Sequence, residues 1–141
     1  MKKFIATLLV FGIAIASFAQ RATLMPVAAG DTIVASSSSD TVTKIITATA
    51  GYSALGIQVN TTKVSGTISL KAYLYGSLDG TNYNLTDSSS AFADQTTNVA
   101  YFTKVTTPYV YYKVQVRPMG AASTTQNARV RIYYVLRKHD N

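Results

Sequence analysis

Hydrophobic and polar residues alternate along much of this chain with the two-residue period of a half-buried strand. From Thr67 to Tyr75, Ile68, Leu70, Ala72 and Leu74 fall on one side, and Ser69, Lys71, Tyr73 and Tyr75 on the other. Between Tyr109 and Arg117 the apolar side carries Val110, Tyr112, Val114 and Val116. The polar side carries Tyr109, Tyr111, Lys113, Gln115 and Arg117. Val130, Ile132, Tyr134 and Leu136 repeat the pattern against Arg129, Arg131, Tyr133, Val135 and Arg137, and Leu55, Ile57 and Val59 share a face around Gly56–Asn60. Weaker strand signals cover Thr23–Ala28, Thr41–Thr49, Asn82–Thr86 and Asn98–Val105. Together they predict about eight strands, separated by turn-rich stretches at Ser36–Asp40, Asp87–Gln95 and Gly120–Asn127. No segment after Gln20 shows the i, i+3, i+4, i+7 spacing of an amphipathic helix.

The expected fold is therefore all-β: a single antiparallel two-sheet sandwich of jelly-roll or immunoglobulin-like type, each sheet with one wet face and one dry face. A small outer-membrane barrel would need strands of about 9–11 residues with apolar side chains facing lipid. The uneven strands and the polar ending Arg137-Lys138-His139-Asp140-Asn141 argue against it.

The first residues follow a different rule. Lys2 and Lys3 precede the apolar run Phe4 to Ala16, and Ser17-Phe18-Ala19 places small residues at −3 and −1 of a cleavage point before Gln20. This is the three-part pattern of a cleavable signal peptide over 1–19, followed by a single domain over 20–141. Such a short apolar run falls below the ~20 residues of a membrane span, so export without stable membrane insertion is expected. The expected location is periplasmic, extracellular or on the cell surface, or in a virion.

Composition fits an exported β domain. The sequence holds no cysteine and no glutamate and has ten tyrosines. Thirteen basic residues face six aspartates for a net +7, or +5 once Lys2 and Lys3 leave with the signal peptide. Without disulfides, stability must come from packing and sheet pairing. The surplus charge is modest and spread over several strands, so no nucleic-acid partner is expected.

Tyr75-Gly76-Ser77-Leu78-Asp79-Gly80-Thr81-Asn82-Tyr83 reads as a hairpin: a strand runs into an Asp-Gly pair suited to φ > 0, then extended structure resumes. Gly76, Asp79, Gly80 and Tyr83 are the residues expected to shape it. The stretch resembles the Gly-Ser-x-Asp-Gly-Thr-Asn-aromatic hairpin of small β-sandwich proteins of bacteriophage virions, of the decoration, fibre and tail accessory type. In those an Arg- or Tyr-rich strand pair also closes the domain, as Tyr109 to Arg117 and Arg129 to Arg137 would here. Ser77-x-Asp79-Gly80-x-x-Tyr83 also resembles the hairpin of discoidin-like adhesive sandwiches. The resemblance implies a structural or adhesive protein acting by self-association or surface attachment.

Catalytic chemistry is not expected. The lone histidine, His139, sits in the terminal tail, there is no cysteine nucleophile, and nothing in the spacing of the aspartates suggests an acid–base pair. Asp79, Asn82, Asn84 and Asp87 offer oxygen ligands for a loop cation, yet they read better as turn formers, so no metal and no cofactor are expected. Function is expected on basic-aromatic strand faces: Lys71, Tyr73 and Tyr75; Tyr109, Tyr111, Lys113 and Arg117; and Arg129, Arg131 and Tyr133. Such faces suit a protein partner or, as an alternative, a glycan platform of a carbohydrate-binding module in the cell envelope.

Overall fold

The computed structural model describes residues 23–24, 32–33, 41–48, 52–104, 107–119 and 127–138. The segment 1–19 expected to be a signal peptide, the serines of Ser36–Ser39, residues 120–126, Asp31, Asp40 and His139 lie outside the described residues.

Each strongly alternating run contains a strand, although one starts at Leu70 rather than Thr67 and another at Tyr111 rather than Tyr109. The described strands are β1 (Thr23–Leu24), β2 (Thr32–Ile33), β3 (Val42–Thr47), β4 (Tyr52–Ser65), β5 (Leu70–Ser77), β6 (Asn84–Ser88), β7 (Thr97–Lys104), β8 (Tyr111–Pro118) and β9 (Asn127–Lys138). That is nine rather than eight. The extra element is β2, a two-residue strand that pairs, like β1, with β9. One sheet runs β1-β9-β4-β7 with β2 also on β9, and the other runs β3-β8-β5-β6. Every pairing is antiparallel. The sheets are open and separate, so the architecture is a two-sheet sandwich and not a closed barrel.

One continuous core fills the space between them. The first sheet contributes Leu55, Ile57 and Val59 from β4, Ala100 and Phe102 from β7, and Ala128, Val130 and Ile132 from β9. The second contributes Val42 and Ile46 from β3, Leu70, Ala72 and Leu74 from β5, and Tyr112, Val114 and Val116 from β8. Ile68 and Phe92 close its margin.

Two ion pairs clip the sheets together. Lys104 on β7 meets Asp87 on β6 at 3.0 Å, and Lys63 on β4 meets Asp94 at 2.8 Å. Asp94 also accepts the Ile68 N–H at 2.9 Å, which ties the approach to β5 to the opposite sheet. Asp87 reaches Lys104 because of a bulge. The β5–β6 register passes from Leu74↔Asp87 to Tyr75↔Leu85 with Thr86 as the extra residue, so Asp87 lies inward beside Leu74 while Leu85 lies outward beside Tyr75.

The β5–β6 hairpin forms as its sequence indicates. Gly80 has φ +74°, and the Asp79 carboxylate organises the turn. Asp79 Oδ1 accepts from Ser77 Oγ and from the Thr81 and Asn82 N–H groups, all at 2.8 Å, and its Oδ2 accepts from Asn82 Nδ2 at 2.6 Å. These bonds, the backbone N–H groups of Asn82 and Thr81 foremost, hold the Asp79 carboxyl far below the usual aspartate range. Asp79 thus shapes the turn, the structural role expected of it.

Gly76 has a different task. It is buried on β5, and a Cβ there would sit 2.6 Å from the Cγ and Cε2 atoms of Tyr109. The Tyr109 ring fills the place a side chain would occupy and meets Tyr112 edge-on at 5.9 Å.

Two outcomes follow from this packing. Gly76→Ala should destabilise the fold by about 1–3 kcal/mol through overpacking, and in a Tyr109→Ala background the same change should cost far less, as chemical denaturation of the four proteins will show. The second outcome is a loss of stability in acid. Asp79 and Asp94 both titrate below the ordinary 3.8 in the folded protein, Asp94 chiefly because Lys63 and the Ile68 N–H bind its carboxylate. The unfolded chain takes up protons first, so this stabilisation is complete above 3.8 and is lost as pH falls through the folded values. Thermal melts should stay level down to about pH 5 and drop below pH 4, with Asp94→Asn showing a smaller acid-dependent drop.

Candidate functional site

The outer face of the second sheet is the candidate site. Because Leu70, Ala72 and Leu74 of β5 and Tyr112, Val114 and Val116 of β8 point into the core, the intervening residues must point outward. Register then places them side by side: Lys71 opposite Arg117, Tyr73 opposite Gln115, and Tyr75 opposite Lys113. The flanking strands extend one of these rows across the whole sheet, from Ile45 on β3 through Lys113 and Tyr75 to Leu85 on β6. Ile45 is 52% exposed and Leu85 57%, so the row has apolar ends.

Cations and rings interlock on this face. The Arg117 guanidinium lies 4.1 Å from the Tyr73 ring centroid, and Lys71 Nζ lies 5.4 Å from the same ring. Lys113 Nζ sits between two rings, 4.9 Å from Tyr75 and 4.2 Å from Tyr83. The Tyr73 and Tyr75 rings are 6.5 Å apart and inclined by 33°. Each such contact contributes on the order of 0.5–1 kcal/mol at an exposed site, enough together to hold the rings in place without burying them. All of these side chains are half-buried, and they form a surface rather than a pocket.

The two carboxylate-bearing turns and margins leave this face alone. Among the described residues the acidic side chains are Asp79, Asp87 and Asp94. Asp79 is bound within its turn, Asp87 pairs with Lys104, and Asp94 pairs with Lys63. Lys71, Lys113 and Arg117 therefore have tyrosine rings as neighbours and no carboxylate partner among the described residues.

The sequence-chosen residues divide into three groups. Lys71, Tyr73, Tyr75, Lys113 and Arg117 come together as expected. Tyr111 shares the face but lies under the hairpin, where a Cβ on Gly80 would come within 3.3 Å of its ring. Tyr109 does not belong to the face. β8 begins at Tyr111, and Tyr109 instead turns toward the core over Gly76, with its N–H donating to the Tyr112 hydroxyl at 3.4 Å. Burial pushes the Tyr112 phenol above its ordinary value. Arg129, Arg131 and Tyr133 lie on β9, in the other sheet, and face away on the opposite side of the sandwich.

Two contributors went unassigned in the sequence. Tyr83, chosen there only as a hairpin residue, completes the cage around Lys113. On the opposite side, Tyr133 sits beside Gln58, and Gln58 beside Tyr101, which is 70% exposed. Gln58 donates to Asn60 Oδ1 at 2.8 Å, so that face has its own row of rings and amides. The alternation of Val99 and Tyr101 with Ala100 and Phe102 was the available signal for it.

No family model matches the chain, and neither does any curated protein sequence. Among solved structures the chain is similar to the CBM22-1 xylan-binding domain from Paenibacillus barcinonensis Xyn10C, at 12% identity and TM-score 0.39, over 62% of this chain and 58% of that domain. It is also similar to a CBM4 structure at 9% identity and TM-score 0.45, over 89% of this chain and 83% of the other. At that distance neither carries a ligand to this chain, and the reading of the site rests on its own side chains.

Proposed function

We propose that this protein is a non-catalytic, exported binding module that holds a polysaccharide chain across the outer face of β5 and β8. The observation that supports it is the row of half-exposed tyrosines Tyr73, Tyr75 and Tyr83, kept in a fixed arrangement by Lys71, Lys113 and Arg117. Rings held open to solvent offer flat apolar surface at little cost in side-chain entropy, which suits the apolar faces of sugar rings. The cations and the Gln115 amide supply donors for hydroxyl groups around them. Among the described residues the row from Ile45 to Leu85 spans the whole sheet, a length that suits an extended chain better than a compact small molecule. Wild-type protein on a polysaccharide array should retain a defined subset of glycans. Tyr73→Ala and Tyr75→Ala should each weaken retention about tenfold, in line with about 1 kcal/mol or more per ring, without lowering the melting temperature greatly. An array with no retained glycan, or variants that bind like wild type, would reject this reading.

A structural or adhesive role, including a place in a phage-like virion, has its own supporting feature. The first sheet ends on β7, whose outer edge pairs with no described strand and carries the exposed Val99 and Tyr101. An open edge with apolar side chains is a surface on which a second copy could add. If it does, sedimentation of the purified protein will show oligomers at micromolar concentration, and Val99→Lys will convert them to monomer.

A further inference from the structure

We infer that the chain held on the β5–β8 face is an acidic polysaccharide, one bearing carboxylate or sulfate groups along its length. The inference rests on the polysaccharide reading above and adds its charge. Three observations carry it. Lys71, Lys113 and Arg117 lie on one face of one sheet, and the acidic side chains among the described residues are engaged elsewhere. Lys71 stands directly across from Arg117 in the β5–β8 register, a like-charge pairing that costs stability. The Tyr73 ring contacted by both cations eases that repulsion without neutralising it, because a ring quadrupole carries no net charge. A bound anion would neutralise it. The third observation is spacing along the sheet. The Lys71–Arg117 pair and Lys113 are separated by the Tyr73–Gln115 row, so the positive charges recur along the face with a ring between them. A polymer with acidic groups at intervals and sugar faces between them would match that order, whereas a single small anion would use only one end.

Paired probes of identical backbone test the charge separately from the sugar. Binding of de-esterified polygalacturonate and of its fully methyl-esterified form should be compared by affinity electrophoresis, along with dextran sulfate against dextran. The acidic member of each pair should bind about tenfold more tightly, and its advantage should shrink as salt rises from about 50 to about 500 mM. Lys71→Gln with Arg117→Gln should remove most of that advantage while leaving the melting temperature unchanged or raised, since the opposed cations are gone. Equal binding within each pair would overturn the acidic inference and leave the polysaccharide reading standing. Binding to none of the four polymers would overturn the acidic inference, while the polysaccharide reading falls only if the array also retains no glycan. Single-stranded DNA held as tightly as polygalacturonate through the same residues would also overturn the inference, in favour of an indiscriminate attraction for polyanions.

Discussion

The ladder between β5 and β8 runs from Leu70 opposite Pro118 to Ser77 opposite Tyr111, and its register sets both surfaces of the second sheet at once. Inward, it stacks Ala72 on Val116 and Leu74 on Val114 in the centre of the core. Outward, the same register brings Arg117 to Tyr73's side and Lys113 to Tyr75. A slip of one residue would place lysines and arginine in the core and leucines in water. The core therefore enforces the geometry of the outer face, even though the outer residues contribute little to burial. This is how a surface of half-exposed side chains comes to be ordered: its positions are dictated from below, and only its rotamers are left to the cation–ring contacts.

Charge is distributed by the same logic. A chain with six aspartates and thirteen basic residues cannot pair every cation, and the described carboxylates go where an unpaired charge would be most costly. Lys63 and Lys104 lie at the ends of the inner face of the first sheet, two residues beyond the buried Thr61 and Phe102, where solvation is incomplete. Each receives an aspartate. Asp79 is held by the turn. The half-buried cations of the β5–β8 face are left to aromatic rings and water, and the exposed Arg129 and Arg131 on the other face to water, where charge is screened. Among the described residues, Lys63 and Lys104 at the seam are each paired with an aspartate, and the outer face of the second sheet keeps Lys71, Lys113 and Arg117 beside its rings.

Much of this was legible in the sequence, and the parts that were not share a cause. Strict alternation located β5, β8 and β9 and assigned their inward residues, because period two is a local property of the backbone; Val110, expected on the inward side, instead precedes β8 and is exposed. The length of β4 was hidden: its second half reads Asn60-Thr61-Thr62-Lys63, and nothing polar in that run announces that Thr61 is wholly buried, with a hydroxyl that finds no partner among the described residues. Tyr109 fitted the alternation yet left the strand, because its ring is drawn into the space over Gly76, a contact between residues 33 positions apart. The three basic-aromatic faces were each visible, but which of them are neighbours depends on strand order, a non-local outcome. Two share a sheet, and the third, on β9, looks the other way.

The Asp79-Gly80 hairpin shows how a motif can act through the residues it positions. Its carboxylate is fully engaged by Ser77, Thr81 and Asn82, and Gly80 lies against Tyr111, so the turn itself presents no open chemistry. What it does is position its neighbours. By covering Tyr111 it ends the row of accessible rings at that side of the sheet. By returning the chain at Tyr83 it places a third ring over Lys113. The turn is stable in its own right: a carboxylate accepting several N–H groups beside a glycine at positive φ recurs wherever two strands must be joined compactly, so it marks no one family. The turn is flanked by Tyr75, Tyr83 and Lys113, so the hairpin shapes one end of the outer face of the second sheet.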